Sequence, residues 1–163
     1  MRPSRSRASS TRGIGRSFPR YWKIAEKYDI LNKMAEWCWI HSGSGHVGQL
    51  AIQGEIVGPG VNNNHDQYTD HEFRIFRMYD ITDQRWLNPS DRRRTAEQMG
   101  IPHVKLIRDC WYVFQELKTM EDFLEFVKGK TDRGHEREGM VWKSVNGMVS
   151  FKVINNDYLL KEK

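Results

Sequence analysis

A chain of 163 residues is long enough for one domain with a hydrophobic core and too short for several. Apolar residues make up 38% and charged residues 29%, and no apolar run approaches the roughly 18 residues of a membrane span, which argues against a membrane-spanning protein. The only cysteines, Cys38 and Cys110, are too few for a disulfide framework, so we expect a reducing compartment such as the cytoplasm.

The net charge of +5 is concentrated at the N-terminal end. Residues 1–25 hold seven basic side chains and no acidic one. This composition, rich in arginine and serine, is typical of a disordered segment or of an organelle-targeting peptide. It would equally attract the phosphate backbone of a nucleic acid. We therefore separate a basic, disordered tail at residues 1–19 from a domain at residues 20–163.

The first half of the domain begins with a helix and continues with two strands. Apolar side chains recur at helical spacing over residues 20–38 and predict one amphipathic helix. After a polar, glycine-rich loop, alternation over residues 50–57 predicts a strand, with Glu55 on the face opposite to Ile56. A turn-rich stretch then leads to a second predicted strand at residues 72–81, in which aromatic and basic side chains alternate.

A short basic helix is predicted next. Asn88 and Pro89 form a cap and first-turn pair, and Gly100 is a suitable C-terminal stop. The arginines at 92–94 are predicted to form a solvated face of this helix. Apolar residues within 104–107 then predict a short strand.

The C-terminal part carries the clearest patterns. Thr119 is predicted to begin a helix, because Asp122 completes an approximate capping box, and Gly129 to end it. Residues 138–144 and 147–154 flank an Asn-Gly pair, the strongest short-range signal for a hairpin. Because strands occur in hairpins with helices placed irregularly between them, we expect an α+β fold with antiparallel β-sheets and packed helices.

Several strand residues have side chains suited to a bound nucleotide, and no phosphate-binding glycine loop is present. Glu55 follows Gly54, where a ribose or hydrated metal can approach closely, although such a glutamate is also typical of a strand edge. Phe76 lies among cations, an arrangement that can stack a base or shield a half-exposed sheet. Residues 138–143 repeat the carboxylate beside a glycine, and Lys152 lies among apolar residues where its charge would act strongly on a phosphate.

In their order along the chain, these pieces resemble the motif series of the covalent nucleotidyl transferases, the superfamily of ATP-dependent ligases and capping enzymes. Residues 54–58 (GEIVG) are similar to motif III, and Phe76 stands at the aromatic position of motif IIIa. Residues 138–141 (EGMV) resemble motif IV, and residues 151–154 (FKVI) resemble motif V. The amino-acid sequence around these motifs, over roughly residues 20–161, most resembles that of the RNA ligases within this superfamily. The chain ends soon after the last motif, where DNA ligases and capping enzymes have an OB-fold domain, and this also favours an RNA ligase.

The resemblance implies a nucleotidyl transferase (adenylation) domain and a three-step reaction. A lysine attacks the α-phosphate of ATP, the AMP passes to an RNA 5′-phosphate, and an RNA 3′-hydroxyl displaces it. ATP or AMP, a divalent metal (Mg or Mn) and RNA with 5′-phosphate and 3′-hydroxyl ends are the implied ligands.

The resemblance also implies roles for named residues. Glu55, with Gly54 beside it, would contact the ribose or support the metal, and Phe76 would stack on adenine. Glu138 would hold the metal as a catalytic residue, and Lys152 would contact the α-phosphate. Lys143, at the end of the motif IV strand, is a further expected nucleotide contact.

One element of the family pattern is absent from the printed sequence. The nucleophilic lysine belongs to a Lys-x-Asp-Gly motif before motif III, and no such motif occurs, so we expect an N-terminally incomplete domain. Lys27, in the sequence Lys-Tyr-Asp-Ile, lacks the glycine, is embedded in a helix pattern and lies too close to Glu55, so we do not identify it as the nucleophile. Arg12 follows a Ser-Thr pair and is similar to the arginine that normally follows the lysine motif.

Four alternatives to a complete RNA ligase therefore stay open. The chain can be an inactive nucleotide- or RNA-binding remnant, or a subunit of a split enzyme whose lysine motif lies on a separate chain. It can belong to another branch of the superfamily, for DNA or caps. It can also be an α+β structural domain with chance matches. Whether this chain alone is an enzyme is left undecided by its sequence.

Overall fold

The computed structural model describes residues 18–43, 48–107, 113–146 and 148–161. The tail predicted at residues 1–19 lies outside this part, apart from its last two residues, and so do the Arg12 element and the hairpin glycine Gly147. Among the described helices, none has the length and apolar character needed to cross a lipid bilayer.

Two helices, not one, occupy the N-terminal part of the domain. They are α1, Phe18–Lys27, and α2, Ile30–Ile40. The single helix predicted for residues 20–38 is wrong because Asp29 adopts the left-handed conformation, with φ 51° and ψ 41°. Aspartate tolerates this conformation better than most residues, and it ends the first helix.

The next three strands form an antiparallel sheet in the order β1-β2-β3, with β1 at Leu50–Val57, β2 at Glu72–Asp80 and β3 at Arg85–Trp86. A short 3-10 helix, Asn62–Asn64, lies in the connection between β1 and β2. The predicted strands at 50–57 and 72–81 are thus present. Their pairing shifts by one residue between Gln53 and Gly54, so that Phe76 has no partner on β1. This β-bulge changes which side chains of β2 face the core.

Helix α3, Pro89–Gln98, is present as the sequence predicts, and it packs on this sheet. The Asn88 side chain accepts a hydrogen bond from the Asp91 amide at 2.9 Å, and the chain turns away at Gly100, with φ 59°.

The strand predicted at residues 104–107 is wrong. Only His103 makes a bridge, to Ile75, because the chain leaves the sheet edge after two backbone hydrogen bonds.

A cluster of buried side chains from α2, the sheet and α3, together with residues that flank them, forms the core of this half. Its members are Trp37, Leu50, Ile75, Met78, Leu87, Ala96, Met99 and Ile101.

The C-terminal half contains α4, Val113–Glu116, and α5, Met120–Phe126. Thr119 and Asp122 form the predicted capping box at the start of α5. The predicted hairpin is present as β4, Gly139–Lys143, and β5, Ser150–Ile154, and it is followed by α6, Asn156–Lys161.

A second core lies between α4, α5 and the hairpin, and its buried members are Val113, Val127, Trp142 and Val153. The Trp142 ring meets Phe123 edge to face at 5.3 Å and stacks with Phe151 at 6.0 Å. The fold is thus α+β with two antiparallel sheets and packed helices, as the sequence predicts.

Hydrogen bonds join the two halves. The Thr131 hydroxyl donates to Asp66 at 3.0 Å, and a ring nitrogen of His65 lies 2.9 Å from the Glu136 carbonyl oxygen. These contacts fix the two sheets on opposite sides of a cleft.

Candidate functional site

The cleft between the two sheets has a volume of about 790 Å³, which is within the range of small-molecule sites. One wall comes from β1, β2 and α3. The other comes from β4 and from the loop of residues 130–137. Residues 103–107 close one end. A smaller cavity of about 300 Å³ lies beside Trp37 and Asp80 and contains none of the predicted site residues.

Three of the six predicted site residues line the cleft. Glu55 and Phe76 come from the first sheet, and Lys143 comes from the end of β4. The three arise from segments far apart in sequence, and the fold brings them together.

Gly54 is not a lining residue, and its surroundings explain why a glycine stands there. A side chain at this position would meet the Phe73 ring at 2.3 Å and the Arg74 carbonyl oxygen at 2.7 Å. The close approach that Gly54 permits is therefore that of the protein's own neighbouring strand.

Glu55 projects into the cleft opposite Arg74, its register partner on β2. Its carboxylate remains accessible to solvent, and the cleft walls restrict its hydration enough to raise its pKa, with a smaller contribution from Glu138. Arg74 and Lys152 act in the opposite direction and lower the pKa. Glu55 can thus accept hydrogen bonds as a carboxylate and is the acid most sensitive to what enters the cleft.

Glu138 and Lys152 lie just outside the cleft and form an exposed ion pair with each other. Lys152 faces Val141 in the hairpin register, and Val141 lines the cleft. Directly opposed residues share a face of a sheet, so Lys152 emerges on the cleft side. The influence of both charges on the pKa of Glu55 places all three groups within electrostatic reach.

Lys143 is held at the back of the cleft. Its Nζ donates a hydrogen bond to the Phe76 carbonyl oxygen at 2.6 Å and lies 5.6 Å from the centre of the Phe76 ring. The β-bulge leaves this carbonyl oxygen available. Burial lowers the pKa of Lys143 to about 8, and the charges of Arg92 and Arg77 add to the effect.

Comparison with known proteins identifies the fold and the family. The family model described as RNA ligase matches residues 4–159, nearly the whole chain. The chain belongs to the RNA ligase family.

Solved structures of a Naegleria gruberi RNA ligase have the same fold. A variant of that ligase with ATP and Mn matches with a TM-score of 0.73 and 27% identity, covering 86% of this chain and 40% of that one. A variant with AMP and Mn matches with a TM-score of 0.72 over the same shares. This chain therefore spans about 40% of the length of the solved ligases that it matches. No curated protein sequence matches it.

The three arginines of α3 were predicted to be exposed to solvent, and this prediction is wrong for Arg92. Arg92 is only 6% exposed, and its Nε donates a hydrogen bond to His103 Nε2 at 2.9 Å. Arg92 lies at helical spacing from the buried residues Thr95, Ala96 and Met99. That spacing is the signal by which the sequence could have revealed it. Arg93 also lines the cleft, whereas the exposed Arg94 pairs with Asp91.

Lys27 is not among the residues that line the cleft. Its Nζ contacts an Asp70 carboxylate oxygen at 2.8 Å and the His71 carbonyl oxygen at 2.7 Å. The hydrogen bond to Asp70 raises the pKa of Lys27. A lysine nucleophile must be a neutral amine, so these contacts are unfavourable for that role.

The carboxylates in and beside the cleft suit a metal ion that also binds to a substrate. Within the described residues, no three histidine, cysteine, aspartate or glutamate side chains gather as metal ligands. Glu55 and Glu138 nevertheless supply two carboxylates that act on each other through space. Mg²⁺ is commonly bound through one or two carboxylates together with water and substrate phosphates, and these residues fit that pattern.

Proposed function

We propose that this chain forms the adenylate-binding part of an ATP-dependent RNA ligase and serves adenylyl transfer to an RNA 5′-phosphate. One observation carries the proposal: a single cleft collects Glu55, Phe76 and Lys143 from two sheets, with the Glu138–Lys152 pair at its edge. The ATP, AMP and Mn in the solved Naegleria ligases support a nucleotide and a divalent metal as its ligands.

The base and the sugar of ATP would bind to the first sheet. Phe76 offers a ring in the cleft wall on which adenine can stack. Glu55, on the neighbouring strand, offers carboxylate oxygens as acceptors for ribose hydroxyls. Both side chains come from paired strands, so their relative positions are fixed before the nucleotide enters.

The phosphates would lie toward the hairpin. Lys152 would contact the α-phosphate and stabilise the negative charge that develops during transfer. Its ion pair with Glu138 positions it beforehand. A bound Mg or Mn, held by Glu138 and Glu55 together with the phosphates, would supply additional neutralisation of that charge.

The RNA strand would follow the basic surface of the same cleft. Nine basic and three acidic side chains are among the described residues that line it. Such an excess of positive charge attracts phosphate backbones.

The proposed reaction needs a lysine that accepts AMP, and no described lysine is identified for this role. The printed sequence has no Lys-x-Asp-Gly motif, and Lys27 is engaged by Asp70. We therefore propose that this chain does not adenylate itself and that the lysine comes from a further segment, on the same polypeptide or on a separate chain. The same observation favours a second candidate function, a nucleotide- or RNA-binding remnant without transfer activity.

ATP binding is the first test. Calorimetry with ATP and Mn should show saturable binding, and Phe76→Ala should weaken it about fivefold or more, since base stacking on an aromatic side chain contributes about 1–3 kcal/mol. Tyr21→Ala, which removes an exposed aromatic side chain from α1, is the matched control and should change the affinity less than about twofold. Failure of the wild-type chain to bind ATP would refute the adenylate-binding proposal and leave only RNA binding for the remnant.

Adenylation is the second test. After incubation with ATP and Mn, the intact mass should show no added AMP, and a supplied segment bearing the lysine motif should acquire the AMP. An AMP adduct that disappears in Lys27→Arg would instead identify Lys27 as the nucleophile. A supplied segment that stays unmodified, despite ATP binding, would favour the binding remnant over the ligase.

A further inference from the structure

Four positive side chains meet at one end of the cleft, and the described part of the chain gives them no acidic partner. We call Arg77, Arg92, Arg93 and Lys143 the cationic cluster, and all four line the cleft beside His103. None of the ion pairs between described residues includes a member of the cluster. Their charges act on one another, because Arg77 and Arg92 lower the pKa of Lys143 and Arg77 lowers that of Arg92.

Arg92 is the buried member of the cluster, and the partner of its Nε is neutral. His103 accepts the hydrogen bond from Arg92 through Nε2, which requires the unprotonated form of that nitrogen, so that Nδ1 donates to the Val104 carbonyl oxygen. Burial lowers the pKa of His103, in agreement with a neutral ring. The guanidinium charge of Arg92 therefore lies in the cleft wall without a counter-charge among the described residues. A buried charge without a partner is costly to a fold.

Two other cluster members, Arg77 and Lys143, are held by uncharged groups. The Arg77 guanidinium lies 3.9 Å from the centre of the Trp86 ring, and Lys143 Nζ is bonded to the Phe76 carbonyl oxygen. Stacking and a neutral acceptor orient these cations without reducing their charge. Arg77, Arg92 and Lys143 are thus oriented cations, and an anion with several oxygens can accept hydrogen bonds from them.

We propose that the cationic cluster is a phosphate-binding subsite, which takes a phosphoryl group of RNA or of a nucleotide. A phosphoryl group matches it, because its oxygens carry negative charge and can accept hydrogen bonds from the three guanidinium groups and the ammonium group of the cluster. The subsite shares its cleft with the proposed function, and it depends on neither Glu138 nor Lys152.

Binding of inorganic pyrophosphate, measured by calorimetry, tests the subsite directly. The wild-type chain should bind it saturably. Arg92→Met and Lys143→Met should each weaken binding about tenfold or more, the effect of removing one charge-assisted hydrogen bond. The matched control is Arg94→Met, on the same helix but outside the cleft, and its affinity should stay within about twofold of wild type.

Two comparisons identify the source of the phosphoryl group. If the group comes from RNA, Arg92→Met should remove a preference for 5′-phosphorylated over 5′-hydroxyl RNA of the same sequence. If it comes from the nucleotide, the same variant should remove a preference for ATP over AMP.

The proposal fails if the wild-type chain binds no pyrophosphate, or if Arg92→Met and Lys143→Met bind it as well as Arg94→Met does. Circular dichroism and melting check that Arg92→Met is folded, and if it is not, Lys143→Met and Arg77→Met decide. Phe76→Ala separates this subsite from the proposed function, since it should lose ATP affinity and keep pyrophosphate affinity.

Discussion

Single residues of the cleft differ in how far the sequence reveals them. Glu55 and Phe76 stand at recognisable motif positions on strands that the alternating pattern also predicts, and both line the cleft. Arg92 was missed because three consecutive arginines are typical of a solvated helix face. The helical spacing of Arg92 from Thr95 and Ala96 was the available signal, because these residues share the face of α3 that packs against the sheet.

The titration of Lys143 can be measured directly. We expect its side-chain NMR signals, assigned with Lys143→Arg, to titrate with a midpoint near 8, because burial and the neighbouring arginines disfavour the charged amine. Arg77→Met removes one repelling charge and should raise this midpoint. Since the amine is charged below its pKa and neutral above it, pyrophosphate affinity should fall as the pH rises through about 8. A midpoint at the ordinary lysine value of about 10.4 would contradict the burial of this side chain.

At the scale of elements, the sequence predicts what local chemistry determines. The cap at Asn88, the capping box at Thr119 and the Asn-Gly hairpin each depend on side chains within a few residues, and all three elements are present. The break at Asp29 and the shift beside Gly54 depend on distant packing. They were not predicted.

Asn88→Ala tests the link between a helix cap and the cleft. Removal of the bond that Asn88 accepts from the Asp91 amide should lower the free energy of unfolding by about 1 kcal/mol in urea denaturation. Because α3 also carries Arg92, pyrophosphate binding should weaken slightly as the first turn frays. Gln98→Ala, at the exposed last turn of the same helix, should change neither quantity. Equal effects of the two variants would show that the cap does not order α3.

The hairpin strands depend on Gly139 because of a close backbone contact. A side chain there would lie 2.2 Å from the Val153 carbonyl oxygen, which belongs to the paired strand and cannot move aside alone. Gly139→Ala should therefore lower the free energy of unfolding by about 1–3 kcal/mol. Gly43→Ala, which meets no atom within 4 Å, serves as the control in the same urea experiment. If the two variants unfold alike, the strands can separate at this point without cost.

The whole molecule consists of two small cores with a basic cleft between them. The α+β class and the family follow from the pattern and order of the elements. The sequence alone could not give the division into two cores, because it results from contacts between segments distant along the chain, such as β1 and β2 with α3.

The excess of basic side chains in the cleft predicts salt-dependent RNA binding. The logarithm of the affinity for a 5′-phosphorylated RNA should fall linearly with the logarithm of salt concentration, by about 0.7 for each phosphate neutralised. Fluorescence anisotropy over a range of salt concentrations measures this slope. Lys130→Ala, in the cleft wall, should reduce the slope by about 0.7, whereas Lys118→Ala, outside the cleft, should leave it unchanged. Identical slopes for both variants and wild type would place RNA elsewhere on the molecule.

The β-bulge at Phe76 separates the needs of folding from those of binding. Ile75 and Met78, three residues apart, are both fully buried, while Phe76 and Arg77 both line the cleft, a combination that an unbroken alternation of two does not allow. If Phe76 were deleted, Arg77 would follow Ile75 directly, and β2 would continue opposite Gln53 and Gly54 as a regular ladder. The one residue that the pairing of β1 with β2 does not need is thus the residue that we propose to stack on adenine.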